Sequence, residues 1–267
     1  KDVGFSEGIG RGVDLLQQSY GSALEGVGKS LGLESLKDYG ANIAENNRKE
    51  LEDSSGDARQ LADIQDVGSF IDYMQVNLGQ QLPQLGSTLA GGYLGAKAGA
   101  AIGSVVPVVG TGIGAAVGGI AGSIAINIPH FFGMNREAQK EEIRKGNRIE
   151  VSEGAAFLAS LPQASMDAVA DRFLVGKFMP KLLTGGGLFT RVAKGATAGV
   201  AAEVPTEVGQ QILERIQAGQ DAFSEEALDE YVEVGVAAGL LGGTVKSTGQ
   251  VVFGKREKSK TQELNDD

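Results

Sequence analysis

Apolar residues recur at helical spacing along most of this chain. From Phe5 to Leu31, successive apolar positions lie three or four residues apart, which places them on one face of an α-helix. The same spacing predicts further helices at about 33–51, 61–82, 152–175 and 203–218, and another that begins at Ser224. No segment shows sustained alternation of apolar and polar residues, which a half-buried strand would require. The pattern therefore predicts an all-α fold.

Glycines interrupt the first predicted helix at positions where they weaken it. Gly4, Gly8, Gly12, Gly21 and Gly28 lie beside the apolar stripe of this helix. Each glycine inside a helix costs about 1 kcal/mol relative to alanine. We therefore expect these positions to allow a neighbouring helix to approach closely.

The segment 85–128 is apolar and rich in small residues, and Lys97 is its only charged residue. Glycine recurs there every four residues in two runs, which flank a Val-Val-Pro-Val-Val sequence centred on Pro107. The two runs are Gly91, Gly95, Gly99, Gly103 and then Gly110, Gly114, Gly118, Gly122. This spacing predicts a central helical hairpin with its apex at Pro107, in which the two glycine faces pack together as in membrane helix pairs. A third run, Gly235, Gly239 and Gly243, predicts another closely packed face.

The hairpin is suited to a membrane by length but only in part by hydrophobicity. Its arms, 88–106 and 108–128, would each form about 30 Å of helix, which matches the hydrocarbon core of a bilayer. Eight Val or Ile residues favour insertion of the second arm by about 2.4 to 4.8 kcal/mol. In the first arm, Lys97 costs about 2.5–3.5 kcal/mol at the membrane centre, which cancels most of the gain from that arm. Membrane insertion and burial inside an oligomer both stay open, and Phe131 and Phe132 are expected at a membrane interface in the first case.

Composition shifts predict four regions. Residues 1–56 would form N-terminal amphipathic helices, and 57–133 a helix followed by the Gly/Ala-rich hairpin. Residues 134–253 would form a C-terminal helical region and 254–267 a charged tail. Within the third region, residues 135–148 are dense in both signs of charge, which predicts a solvent-exposed helix.

The composition argues against most catalytic chemistry. The chain has no Cys and a single His, so thiol nucleophiles, disulfides and His-rich metal clusters are excluded. Its glycine clusters follow no strand and match no phosphate-binding loop. A formal net charge of −10 argues against tight binding of the DNA backbone. We therefore expect no enzyme activity, no metal and no cofactor.

A series of motifs, taken in order, resembles segments of the internal virion proteins of tailed phages and prophages, which are the DNA-ejection proteins of short-tailed phages. The resemblance covers most of 60–245. The motifs are Gly79-Gln80-Gln81-Leu82-Pro83, the hairpin with its Val-Pro-Val apex, Phe131-Phe132-Gly133, Glu203-Val204-Pro205-Thr206-Glu207 with Gln210-Gln211, and Gly235–Gly243.

This resemblance implies a structural role in genome ejection. Proteins of that family are stored in the virion near the portal, leave through the tail and reassemble as a channel across the periplasm and inner membrane. The implied partners are further copies of the chain in a homo-oligomer, other internal virion or portal and tail proteins, and the host cell membrane. Double-stranded DNA would pass without sequence-specific binding. No segment matches the transglycosylase domain of some members, so the resemblance implies no catalytic residue.

Two other functions stay open at this point. A helical hairpin of this kind also suits a pore-forming toxin or bacteriocin-like effector that depolarises membranes. Alternatively, the chain is the oligomerisation platform of a larger, enzyme-bearing phage protein.

Overall fold

The computed structural model describes residues 4–54, 63–104, 110–173 and 205–232. These residues form helices, and no β-strand occurs among them, so the predicted all-α class is confirmed. The helices are α1 (Phe5–Leu31), α2 (Glu34–Asp53), α3 (Val67–Gly103), α4 (Gly110–Arg144), α5 (Glu153–Phe173), α6 (205–218) and α7 (225–232).

The chain divides into two compact units. The first comprises Lys1–Ala168 and Gln210–Leu228, and the second comprises Val169–Gly209 and Asp229–Asp267. In the second unit, the described residues are the helical ends 169–173, 205–209 and 229–232. The first unit holds α1 to α4, α5 as far as Ala168, and residues 210–228, and it is the subject of the following sections.

Local signals set the ends of several helices. α1 stops at Gly32, which takes the left-handed conformation (φ 68°) that glycine tolerates best. α3 begins after Asp66, whose Oδ1 accepts a hydrogen bond from the Ser69 backbone N–H at 2.8 Å. Ser224 accepts a hydrogen bond from the Ala227 N–H at 3.2 Å, so the helix start expected at Ser224 is confirmed.

The glycines of α1 let two neighbouring helices approach its backbone. A Cβ atom at Gly8 or Gly12 would come within 3.0 Å of backbone atoms of Val76 or Gln80 in α3. Equivalent Cβ atoms at Gly21 and Gly28 would meet the backbone of α2 just as closely. The close approach expected of the α1 glycines is confirmed at these four positions. It is wrong for Gly4, which precedes α1 and whose Cβ position lies 3.5 Å from the nearest side-chain atoms.

Helices α3 and α4 are longer than the sequence predicted because each continues through a proline. Pro83 lies inside α3 and Pro129 inside α4. Residue 133, where the sequence suggested a boundary between regions, lies within α4. As a result, each of these helices has one part that packs against α1 and another that lies in the apolar segment 85–128. That apolar part is the C-terminal half of α3 and the N-terminal half of α4.

Candidate functional site: the α3–α4 arm

The part of the molecule richest in glycine is a pair of packed helical segments, residues 88–103 of α3 and 110–127 of α4, which we term the arm. Gly95 faces Gly118 across this pair, and a Cβ atom on either residue would come within 3.0 Å of the backbone of the other. Gly91 with Gly122, and Gly99 with Gly114, form the same arrangement on either side. The three pairs run in opposite chain directions, so the two segments are antiparallel.

The remaining glycines of the predicted site are placed only in part. The Cα atom of Gly103 lies 3.1 Å from the Cβ position of Gly114, and Gly110 is the first residue of α4. The predicted apex at Pro107 lies outside the described residues, as do Gly235, Gly239 and Gly243.

The arm presents apolar side chains on its outer faces. Six large residues there are between 59% and 77% exposed, namely Leu89, Tyr93, Leu94, Ile102, Ile113 and Val117. Because the glycines occupy the contact between α3 and α4, these larger side chains point away from it. Several large apolar side chains exposed on one pair of helices are typical of a protein or membrane contact.

One helix in the described part of the chain is long and apolar enough to cross a membrane. An 18-residue window within Thr111–Arg144 has a mean hydropathy of 1.5, and 11% of that window is buried. Core helices of soluble proteins also satisfy this criterion of length and composition, but such helices are mostly buried. This window therefore differs from a core helix in its exposure.

Polar side chains connect the two segments where the arm meets the rest of the unit. Thr88 donates a hydrogen bond from Oγ1 to Oδ1 of Asn127 at 2.9 Å, and both side chains are buried. The Asn127 Nδ2 atom donates to Oδ2 of Asp167 in α5 at 2.7 Å. Ser123 also donates to the Thr88 carbonyl oxygen at 3.5 Å. We call these four residues the basal cluster.

The single charged residue of the arm contacts an aromatic ring on its own helix. The Lys97 ammonium lies 4.9 Å from the centre of the Tyr93 ring, a distance suited to a cation–π interaction. Both side chains are exposed. Lys97 therefore extends along α3 towards the basal cluster, since Tyr93 lies one turn closer to Thr88.

Below the arm, α4 carries a buried charge. Arg136 is 1% exposed and donates from Nε to Oε2 of Glu153 at 2.7 Å, and from Nη1 to Oε2 of Glu25 at 3.2 Å. Its Nη1 also donates to the Ser22 carbonyl oxygen. Lys140 donates to the same Glu25 oxygen at 2.5 Å. This ionic cluster joins α1, α4 and α5.

Burial and hydrogen bonding act in opposite directions on Glu25. Burial alone would raise the pKa of its carboxyl group, but hydrogen bonds from Arg136 and Lys140 and their positive charges outweigh burial. The net result is a pKa below the usual value of 4.5. Glu25 is therefore a carboxylate at neutral pH.

The expectation that 135–148 forms a solvent-exposed helix is wrong for one of its faces. Asn135, Arg136, Gln139 and Glu142 are all buried, and helix α4 ends at Arg144. Their spacing of three and four residues is that of a buried helical face, with polar instead of apolar side chains. Burial is tolerated because distant segments supply partners: Asn135 donates to Gln163 at 2.7 Å and Gln220 donates to Glu142 at 2.9 Å.

The aromatic pair expected at a membrane interface lies inside the protein. Phe131 is 4% and Phe132 is 6% exposed, and the Phe132 ring packs edge-on against Phe157 at 6.0 Å. His130 beside them is also buried, with Nδ1 2.7 Å from the Ser19 hydroxyl oxygen. Helix α1 covers this part of α4 and approaches it closely at Gly133, so the two rings are not available to lipid.

Neither protein-family models nor curated proteins nor solved structures match this chain. Within the described ranges, no group of three or more His, Asp or Glu side chains is placed to hold a metal ion. The arrangement that this unit offers is thus a physical one: a hydrogen-bonded helical bundle that holds an apolar, glycine-packed arm.

Sequence reasoning missed the residues that connect the arm to the bundle. Arg136, Asn127 and Thr88 were not singled out, because each is polar and lies near apolar or charged runs that dominate the pattern. The helical spacing of Asn135, Gln139 and Glu142 was a usable signal for a buried polar face.

Proposed function

We propose that this chain is a structural segment of a phage internal virion protein, and that its arm contacts the host membrane during genome ejection. The observation that carries the membrane part is the exposure of large apolar side chains on a glycine-packed helix pair. The arm is a helical hairpin in this proposal, closed at Pro107, and its glycine contact keeps it thin and rigid.

The physical argument starts from the cost of leaving the arm in water. Burial of one Leu or Ile side chain is favourable by about 1.5–3 kcal/mol, and several such residues are exposed on the arm. A bilayer or a neighbouring copy of the chain would cover them. Hydrogen bonds and ion pairs join the helices of the rest of the unit, so it can stay folded while the arm changes its surroundings.

The phage assignment draws on the motif resemblance over most of 60–245. A protein stored in a capsid and passed through a narrow tail needs thin, weakly hydrophobic helices, which glycine-faced helices provide. The acidic net charge of −10 also suits a conduit along which DNA slides without binding. Homo-oligomer formation, with the outer faces of neighbouring arms in contact, belongs to the same proposal.

Vesicle flotation of the full chain tests the membrane contact. We expect the chain to rise with phosphatidylcholine vesicles, and Leu94→Asp to reduce the floated fraction because it places a charge on the outer face of the arm. Leu31→Asp is the matched control, since Leu31 at the end of α1 is 66% exposed and Leu94 is 65% exposed. A chain that stays at the bottom with every lipid composition would contradict the proposal.

Three further measurements test the remaining parts of the proposal. Sedimentation without lipid tests self-association, and a single monomeric species at all concentrations would count against the oligomer. Mass spectrometry of virions before and after triggered ejection tests the location, with the chain expected in full particles and lost from emptied ones. Dye release from vesicles by the chain alone, without any virion partner, would favour a pore-forming toxin instead.

A further inference from the structure

We infer that the arm of one chain enters a single phospholipid leaflet and stops at Tyr93 and Lys97, where the Lys97 ammonium binds a lipid phosphate. This inference rests on the proposed membrane contact and names its depth and its lipid partner. Four observations carry it: the length of the arm, the position of its polar residues, the Tyr93–Lys97 contact and the exposure of the tip.

Measured from the basal cluster, the described helical segments of the arm are shorter than the hydrocarbon core of a bilayer. Between Thr88 and its end at Gly103, α3 has sixteen residues and rises about 24 Å, less than the hydrocarbon core of about 30 Å. From Gly110 to Asn127, α4 has eighteen residues and rises about 27 Å, and hydrogen bonds to Thr88 and Asp167 hold the buried Asn127 at its base. Moving the basal cluster into lipid would place these polar groups and the Asp167 carboxylate in hydrocarbon, which is costly.

The described part of the apolar tip has the depth of one leaflet. From Leu94 to Gly103, α3 has ten residues and rises about 15 Å, half of the hydrocarbon core. The glycine pairs place the first ten residues of α4 at the same level, since Gly95 faces Gly118. In this tip, Lys97 is the one charged side chain among the described residues.

Tyr93 and Lys97 have the chemistry of a membrane interface. Tyrosine favours the headgroup level because its ring is apolar and its hydroxyl group is polar. Side chains of an α-helix lean towards its N-terminus, which for α3 is the direction of the basal cluster. The 4.9 Å contact with the Tyr93 ring shows Lys97 extended in that direction. Its ammonium can thus reach phosphate while its methylene chain lies among acyl chains.

The lack of Cys in the chain allows a direct measurement of depth. Single-cysteine variants Ile102→Cys, Leu89→Cys and Tyr39→Cys would each carry one environment-sensitive dye in the full chain. With floated phosphatidylcholine vesicles, we expect a deep acyl-chain quencher to act most on position 102 and a shallow quencher most on position 89. Position 39 in α2 should respond to neither.

Each outcome of this experiment decides a different claim. A chain that fails to float overturns the proposed function and the inference together. A chain that floats with position 89 near the bilayer centre, or with position 102 at the far headgroups, overturns only the single-leaflet inference. If the dyes report contact with other copies of the chain, and this signal does not depend on lipid, the single-leaflet inference is also overturned.

The substitution Lys97→Leu gives a second readout. If Lys97 were held at the bilayer centre, removing its cost of about 2.5–3.5 kcal/mol would strengthen vesicle partitioning about 100-fold. With the ammonium at the phosphate level, we expect a change of less than about tenfold, and a deeper position for the dye at residue 89. Lys49→Leu is the control, since Lys49 is an exposed lysine of α2 away from the arm. A 100-fold gain for Lys97→Leu alone would overturn the assigned depth.

Discussion

Gly12 of α1 lies against the backbone of Gln80 in α3, so closely that a Cβ atom at position 12 would come within 3.0 Å of three Gln80 backbone atoms. The same use of glycine recurs at the α1–α2 contact and between the two segments of the arm. Close backbone contact through glycine thus occurs at several helix contacts of the first unit, and substitutions of these glycines can test it.

The first prediction compares two glycines of α1. Gly12→Ala should lower the free energy of unfolding by about 1–3 kcal/mol, because the new methyl group has no room against the Gln80 backbone. Gly10→Ala should raise it by about 0.5–1 kcal/mol, because Gly10 faces open space and alanine favours the helix. Urea unfolding followed by circular dichroism measures both. Equal effects of the two substitutions would refute close packing at Gly12.

The second prediction concerns the arm. Replacing Gly95 and Gly114 together by Leu should separate the two segments. The leucine side chains have no room against the backbone of the facing helix, so the helices must move apart. Hydrogen exchange should then speed up across residues 91–103. Gly112→Leu is the control, since nothing lies within 4 Å of its Cβ position. Unchanged protection in the double variant would show that the glycine contact does not hold the arm together.

The third prediction concerns the buried arginine. Arg136→Met should lower the free energy of unfolding by about 3–5 kcal/mol, because Glu25 and Glu153 lose the partner that compensates their partial burial. Arg144→Met, which removes an exposed pair with Glu141, should change it by about 0–1 kcal/mol. Thermal and urea unfolding of both variants give the comparison, and a loss at Arg136 no larger than at Arg144 would rule out a structural role for the ionic cluster.

The fourth prediction is a pH dependence. The pKa of Glu25 is lower in the folded chain than its usual value of 4.5, so its carboxylate stabilises the fold above that pH. This contribution should decline as the pH falls below about 4.5 and through the lower pKa of the folded state. Glu25→Gln should be less stable at neutral pH and show a smaller loss of stability on acidification. Parallel pH profiles for both proteins would contradict the assignment.

Much of the helical architecture was predictable because it is encoded in local spacing. The apolar stripe of Phe5–Leu31 and the stop at Gly32 depend on residues within a few turns of one another. The prolines were harder to interpret, because Pro83 and Pro129 can either end a helix or lie within one. Packing against α1 decides this for both helices, and no local signal reports it.

Local spacing and composition are enough to predict a helical chain, close helix contacts along α1 and an almost uncharged segment at 85–128. Long-range packing, by contrast, establishes which backbone meets each glycine. It also buries the polar face of Asn135, Arg136 and Gln139 and covers Phe131 and Phe132 with protein. Burying a polar side chain is unfavourable unless hydrogen-bonding or charged partners lie within reach. Those partners, Ser22, Glu25, Glu153 and Gln163, come from segments whose proximity no local pattern records.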